Sequence, residues 1–122
     1  MNRRKRQGAK MVPRPAEAVI QAEVVQLLQK NGIFCHSVPN EGAGTDMIRT
    51  TQLIALGLRK GVADLVVWWP DGIGYLEMKK PGGVQSQEQK VFEMKCREYG
   101  VAYDLAHSVE EVESLIEWHR RK

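Results

Sequence analysis

The chain has 122 residues, 43% of them hydrophobic and 27% charged, with a formal net charge of +3. That length suits one domain around a single core, and the composition is that of an ordinary globular protein. No apolar run reaches membrane-spanning length and the basic start has no hydrophobic stretch behind it, so the reading is neither a signal peptide nor a membrane protein, and a cytoplasmic setting is expected.

The charge is unevenly placed. Residues 1–14 hold Arg3, Arg4, Lys5, Arg6, Lys10 and Arg14 without one acid, and the chain ends in Arg120, Arg121 and Lys122. Those nine account for half of the 18 basic residues, which leaves residues 15–119 with 15 acids against 9 bases. Residues 1–14 read as a flexible basic arm, 15–119 as the folded domain and 120–122 as a basic tail. Such ends either grip phosphates, with salt-sensitive affinity, or merely solubilise. Cys35 and Cys96 are far apart and read as reduced, packed thiols.

Pro15 suits the first position of a helix, and Ile20, Val24, Leu27 and Leu28 continue it at helical spacing to Asn31-Gly32. IFCHSV at 33–38 reads as a strand, with His36 half-buried, and 39–44 as a loop. Residues 47–58 suggest a weaker helix. The run VADLVVWW, the turn Pro70-Asp71-Gly72-Ile73 and GYLEMKK form a hairpin. Ser86 opens a helix that places Phe92, Cys96 and Tyr99 on one stripe and stops at Gly100. VAYDLA is the fourth strand, and Ser108 with Glu111 makes a capping box for a last helix carrying Val112, Leu115 and Ile116. The order α-β-(α)-β-β-α-β-α predicts an α/β fold, a mixed central sheet flanked by helices, with the extra helix just before the central hairpin.

Asp-Gly in the middle of the turn favours a tight primed hairpin, which sets Trp69 against Gly74, Trp68 against Tyr75, Val66 against Glu77 and Asp64 against Lys79. Alternation then puts Asp64, Val66, Trp68, Tyr75, Glu77 and Lys79 on one face and Leu65, Val67, Leu76 and Met78 on the other. Asp64 and Glu77 become diagonal neighbours with backbones roughly 7–8 Å apart. Two carboxylates with water and a phosphate oxygen suit a hard cation such as magnesium, and Lys79 is placed to hold a water or stabilise charge on phosphorus. The plainer alternative is a structural ion-pair cluster, although exposed pairs contribute little and this one carries excess negative charge.

Asp64 followed after twelve residues by Glu77-Met78-Lys79 resembles the PD-(D/E)xK nuclease signature. NEGAG at 40–44, GLRKGVADLVV at 57–67, LEMKKPGG at 76–83 and SQEQ at 86–89 resemble, in that order, the blocks of the VRR-NUC family. The likeness runs from about Glu17 to about Ile116. Ala63 stands where the family has a proline, a backbone device whose loss removes no ligand. The resemblance implies a restriction-endonuclease-like core (αβββαβ) and a divalent-metal-dependent DNA endonuclease using Mg2+, with Mn2+ as a substitute.

It further implies catalytic roles for Asp64, Glu77, Lys79 and Gln89, and metal ligation by Asp64, Glu77, Met78 and an acid on the first helix. Glu17 lies on the sheet-facing stripe and Glu23 nearer the outer face, so Glu17 is the expected ligand, against the plain reading of an acid favoured by the helix dipole. Gln89 is also the third residue of a Ser86 capping box. Asn40, Glu41 and Lys80, with Arg3, Arg4, Lys5 and Arg6 of the arm, are expected to contact substrate. Stand-alone members resemble dimeric, phage- or bacterium-borne enzymes selective for branched DNA such as four-way junctions, so a homodimer is expected. The alternatives are an inactive nucleic-acid-binding module of the same fold and a small protein-interaction domain.

Overall fold

The computed structural model describes residues 15–38 and 47–122. In chain order these form α1 (Pro15–Lys30), β1 (Cys35–Ser37), α2 (Met47–Ala55), β2 (Leu65–Trp69), β3 (Gly72–Met78), α3 (Gln87–Glu98), β4 (Ala102–Ala106) and α4 (Val109–Arg120). The sheet runs β1-β2-β3-β4, antiparallel at its first two junctions and parallel between β3 and β4. This is the expected mixed α/β sheet. The parallel pair needs a crossover, which α3 supplies. Among the described residues no helix is long and apolar enough to cross a membrane.

The main core lies on one side of the sheet. Leu65, Val67, Leu76 and Met78 are fully buried there against Val24 and Leu28 of α1 and Val112 and Ile116 of α4. These are the apolar residues that the two periodicities select, and each is worth roughly 1.5–3 kcal/mol when removed from water. The other side is covered only in part. Phe92 and Cys96 of α3 pack with Tyr75, Ala63, Tyr103 and Leu105, and among the described residues no helix covers the β1–β2 half of that side. Tyr99 does not continue the α3 stripe: as the C-cap it lies past the last turn and is 74% exposed. His36 is likewise exposed rather than half-buried: it lies on the edge strand β1, on the face opposite the one by which Cys35 packs against the main core.

The helix ends obey local rules. Gly32 and Gly100, both at positive φ, close α1 and α3 with the paired bonds of a Schellman turn, Ile33 N–H to Leu28 O at 2.9 Å and Val101 N–H to Cys96 O at 2.8 Å. At α4 the capping box is shifted. Ser108 Oγ accepts from Glu111 N–H at 3.1 Å, but the Glu111 carboxylate reaches one residue further back, to His107 N–H at 2.7 Å.

The hairpin register differs from the expected one by two residues. Trp69 pairs with Gly72, Trp68 with Ile73 and Val66 with Tyr75, so Pro70 and Asp71 form the loop. The expected register placed Pro70 in the closing pair, where its missing N–H leaves a ladder bond unmade. Trp69 has that N–H and takes the position. A shift of two preserves which side chains share a face, but it changes their partners. One step beyond the Leu65–Leu76 pair, Asp64 comes level with Glu77, not with Lys79.

Asp71 is fixed from outside the hairpin. His119 of α4, 3% exposed, sets Nδ1 2.7 Å from Asp71 Oδ1 and Nε2 3.0 Å from Asp104 Oδ2. Its ring stacks on Trp69 with centroids 4.2 Å apart. This cluster ties the hairpin loop, β4 and α4 together at the end of the sheet away from Asp64.

Candidate active site

At the other end of the hairpin the acids meet. Asp64 sits immediately before β2, where its Oδ2 accepts the Met78 N–H at 2.8 Å. Glu77, one residue before Met78 on β3, points to the α3 side and is 1% exposed. Lys79 Nζ lies 3.7 Å from Glu77 Oε2. Met78 itself turns its side chain into the core, so only its backbone faces this cluster.

Gln89 makes two contacts at once, one with its helix cap and one with Glu77. Its Oε1 accepts the Ser86 N–H at 2.8 Å while Ser86 Oγ accepts the Gln89 N–H at 3.2 Å, a complete capping box. With the oxygen so occupied, the amide nitrogen points at the sheet and donates to Glu77 Oε2 at 3.0 Å. The helix cap therefore orients the group that holds the carboxylate. Glu77 Oε2 has two partners, and Glu77 Oε1 is buried with no hydrogen-bond donor among the described residues.

An unpartnered buried carboxylate oxygen is costly unless something positive meets it. Both acids register that cost. Burial, then the charges of Asp64 and Glu17, push Glu77 up to about 8 despite the neighbouring lysine. Burial also raises Asp64, against the lowering effect of its Met78 hydrogen bond. Their carboxyl groups lie close enough to share a hydrogen bond when one holds a proton. A divalent cation is the partner that this arrangement fits: two adjacent oxygen donors, one buried oxygen unused, and a proton held where a cation would replace it.

Glu17 is half-buried at the start of α1, and its charge raises both acids, so it lies within their field. Glu23 is exposed further along α1, away from the pair. Glu17 does not close a cage with the other two, for among the described residues no three acidic, His or Cys side chains converge on one point. Lys80 is exposed. Asn40, Glu41 and Arg3, Arg4, Lys5 and Arg6 lie outside the described residues. Sequence reasoning overlooked Tyr103, a wall of this site whose phenol is raised by burial and by the Glu77 charge, and which accepts a hydrogen bond from Gln85 at 2.9 Å. Its alternation with Ala102 and Asp104 was the available signal.

The burial of Glu77 gives the site a pH signature. Its folded value of about 8 exceeds the unfolded 4.5, so the proton stabilises the fold below about pH 4.5 and that contribution is lost as pH rises through about 8. Thermal melts in chelator should therefore show stability falling between these limits, and saturating magnesium should restore it at the upper end. A melting temperature flat across this window in chelator, or unmoved by magnesium, contradicts the assignment.

The family profile of the VRR-NUC domain matches residues 16–110. The chain belongs to the VRR-NUC family. That family is one of nuclease domains, and the acid pair, Lys79 and Gln89 all fall inside the matched span. A solved structure described as a VRR-NUC domain is similar in fold, with 22% identity and a TM-score of 0.63 over 85% of this chain and 97% of the other. No curated protein matches the sequence.

Proposed function

We propose that this VRR-NUC chain is a divalent-metal-dependent endonuclease that hydrolyses phosphodiester bonds in DNA, with Asp64 and Glu77 as its metal ligands. The observation that carries this reading is the buried Glu77 carboxylate beside Asp64, with its Oε1 left without a donor among the described residues. Magnesium or manganese, when bound, would lower the pKa of a water and offset the negative charge of the attacked phosphate.

The chain's own groups divide the remaining work. Gln89 fixes the Glu77 carboxylate through its amide. The Met78 N–H holds Asp64, and the Met78 carbonyl is the only polar group that this residue has to offer a metal. Glu17 acts through water, since it forms no cage with the pair. Lys79, at 3.7 Å from Glu77 Oε2, positions the attacking water and stabilises charge developing on the phosphate. Lys80, Asn40, Glu41 and the basic arm provide substrate contacts.

Branched DNA such as a four-way junction is the preferred substrate in this reading, and the enzyme works as a homodimer. Resolving a junction takes two coordinated cuts, and each domain offers one site. What supports self-association is α2. Among the described residues none of its own is buried and no other helix or strand packs closely on it, and Met47, Ile48 and Leu56 in and beside it are 76%, 75% and 85% exposed. Such residues in water call for a partner surface.

The test is to incubate the purified chain with labelled single-stranded, duplex, flap and four-way-junction DNA in magnesium, in manganese and in chelator. Cleavage is expected with either metal, greatest on the branched substrates, and none in chelator. Undiminished cutting in chelator contradicts the metal mechanism. Metal-independent binding without any cutting makes the chain a binding module of the same fold.

A further inference from the structure

We propose that the groove between α3 and the Arg59-Lys60 segment seats one unpaired strand of the DNA substrate and leads it away from the acid pair. The proposal rests on the nuclease reading above and adds to it the residues that select a single strand.

One wall of the groove is the Arg59-Lys60 pair ahead of β2, and the other is Phe92 and Lys95 of α3 with its C-cap Tyr99. The walls are locked together at Gly61, which has φ 87° and whose missing Cβ leaves room for the Glu88 carbonyl; a Cβ there would lie 2.4 Å from that group. Glu88 adjoins Gln89, so the groove begins one residue from the group that holds Glu77. From there to Tyr99 the helix rises roughly 16 Å, the reach of a few nucleotides.

The chemistry selects the occupant. Residues 15–119 carry more acid than base, yet three of their nine basic side chains line this one groove against a single acid, Glu88. Arg59 and Lys60 are exposed, and among the described residues neither has a carboxylate partner. Lys95, in an exposed ion pair with Glu98 at 3.8 Å, sets its Nζ 5.8 Å from the centre of the Tyr99 ring, whose 74% exposure leaves that ring open as a platform. Cations flanking an apolar, aromatic floor are what a single strand needs, since its phosphates are charged and its unstacked bases seek a π-face. A duplex offers phosphates but keeps its bases stacked away from Tyr99. A folded protein partner needs roughly 800 Å² and 20–30 residues a side, far more than this short groove presents.

The experiment measures binding of the full chain, in chelator, to labelled oligothymidylate and to a blunt duplex of equal length across a salt series. Arg59→Ala with Lys60→Ala should weaken single-strand binding and flatten its log–log salt slope by about 1.4, two phosphates at about 0.7 each. Tyr99→Ala should weaken it about tenfold with the slope unchanged. Lys30→Ala, at the far end of α1, is the control and should leave single-strand affinity as it was. Duplex affinity should not change in the Tyr99 variant.

Equal losses on strand and duplex in the Tyr99 variant, or a double-variant salt slope equal to that of Lys30→Ala, overturn the groove while leaving the nuclease reading intact. Failure of the unmodified chain to bind the single strand overturns the groove, and the nuclease reading falls with it only if four-way-junction DNA is also left uncut in magnesium and manganese.

Discussion

Lys79→Ala is expected to lower the cleavage rate by about 10²–10³-fold while leaving metal binding intact. The lysine is the cation that the fold places beside the acid pair, 3.7 Å from Glu77 Oε2 and largely enclosed. A positive group fixed where charge develops needs no reorganisation during the reaction, and removing one such group from an enzyme costs a loss of this size. Metal affinity should hold or rise, because a repelling cation is gone. Lys80→Ala is the internal comparison: it is exposed at the strand end and should be far milder. The check is cleavage rate and manganese affinity in both variants. Equal damage from the two lysines, or loss of metal binding in Lys79→Ala, would show that Lys79 has another role.

Glu77→Gln should cost more. The substitution keeps volume and still leaves an oxygen to accept from Gln89, but it removes the charge that a cation requires. Loss of an outer partner of a metal ligand typically costs about 10–100-fold, and that is the range expected for Gln89→Ala. Loss of the ligand itself should exceed it and bring cleavage to background. Binding to DNA should persist, because the groups proposed to grip the phosphates are elsewhere. Stability without metal should not suffer, since the variant removes a buried carboxylate raised to about 8. Cleavage rates and equilibrium binding of junction DNA, measured side by side, check this. A variant that cuts at the unmodified rate removes Glu77 from the site.

The faces of the hairpin were legible because strand alternation is independent of register. Leu65, Val67, Leu76 and Met78 had to share a side whatever the turn. The register was not legible from Asp-Gly alone, because the absent N–H of Pro70 and the hold of His119 on Asp71 both bear on the loop, and the second comes from a residue 48 positions away. For the same reason the whole Asp71–His119–Asp104 cluster had no sequence signal. The Gln89 cap and its sheet-facing position were legible, but not the fact that the cap itself aims the amide at Glu77. Glu17 was separable from Glu23 by helical phase, since one position faces the sheet and the other does not. The groove along α3 was hidden because Lys95 and Tyr99 lie far along the chain from Arg59 and Lys60, and only folding brings them opposite each other.

The central claim is that Asp64 and Glu77 together form a site for one or more divalent cations. Its most direct test is manganese binding by titration calorimetry, without DNA, on the unmodified chain and on Asp64→Asn and Glu77→Gln. Near pH 7 the unmodified chain should bind saturably and release protons to the buffer, because cation and proton compete for the same carboxylates. Each variant should lose that binding and the proton release with it. An isotherm unchanged in both variants would place the metal elsewhere and contradict the account.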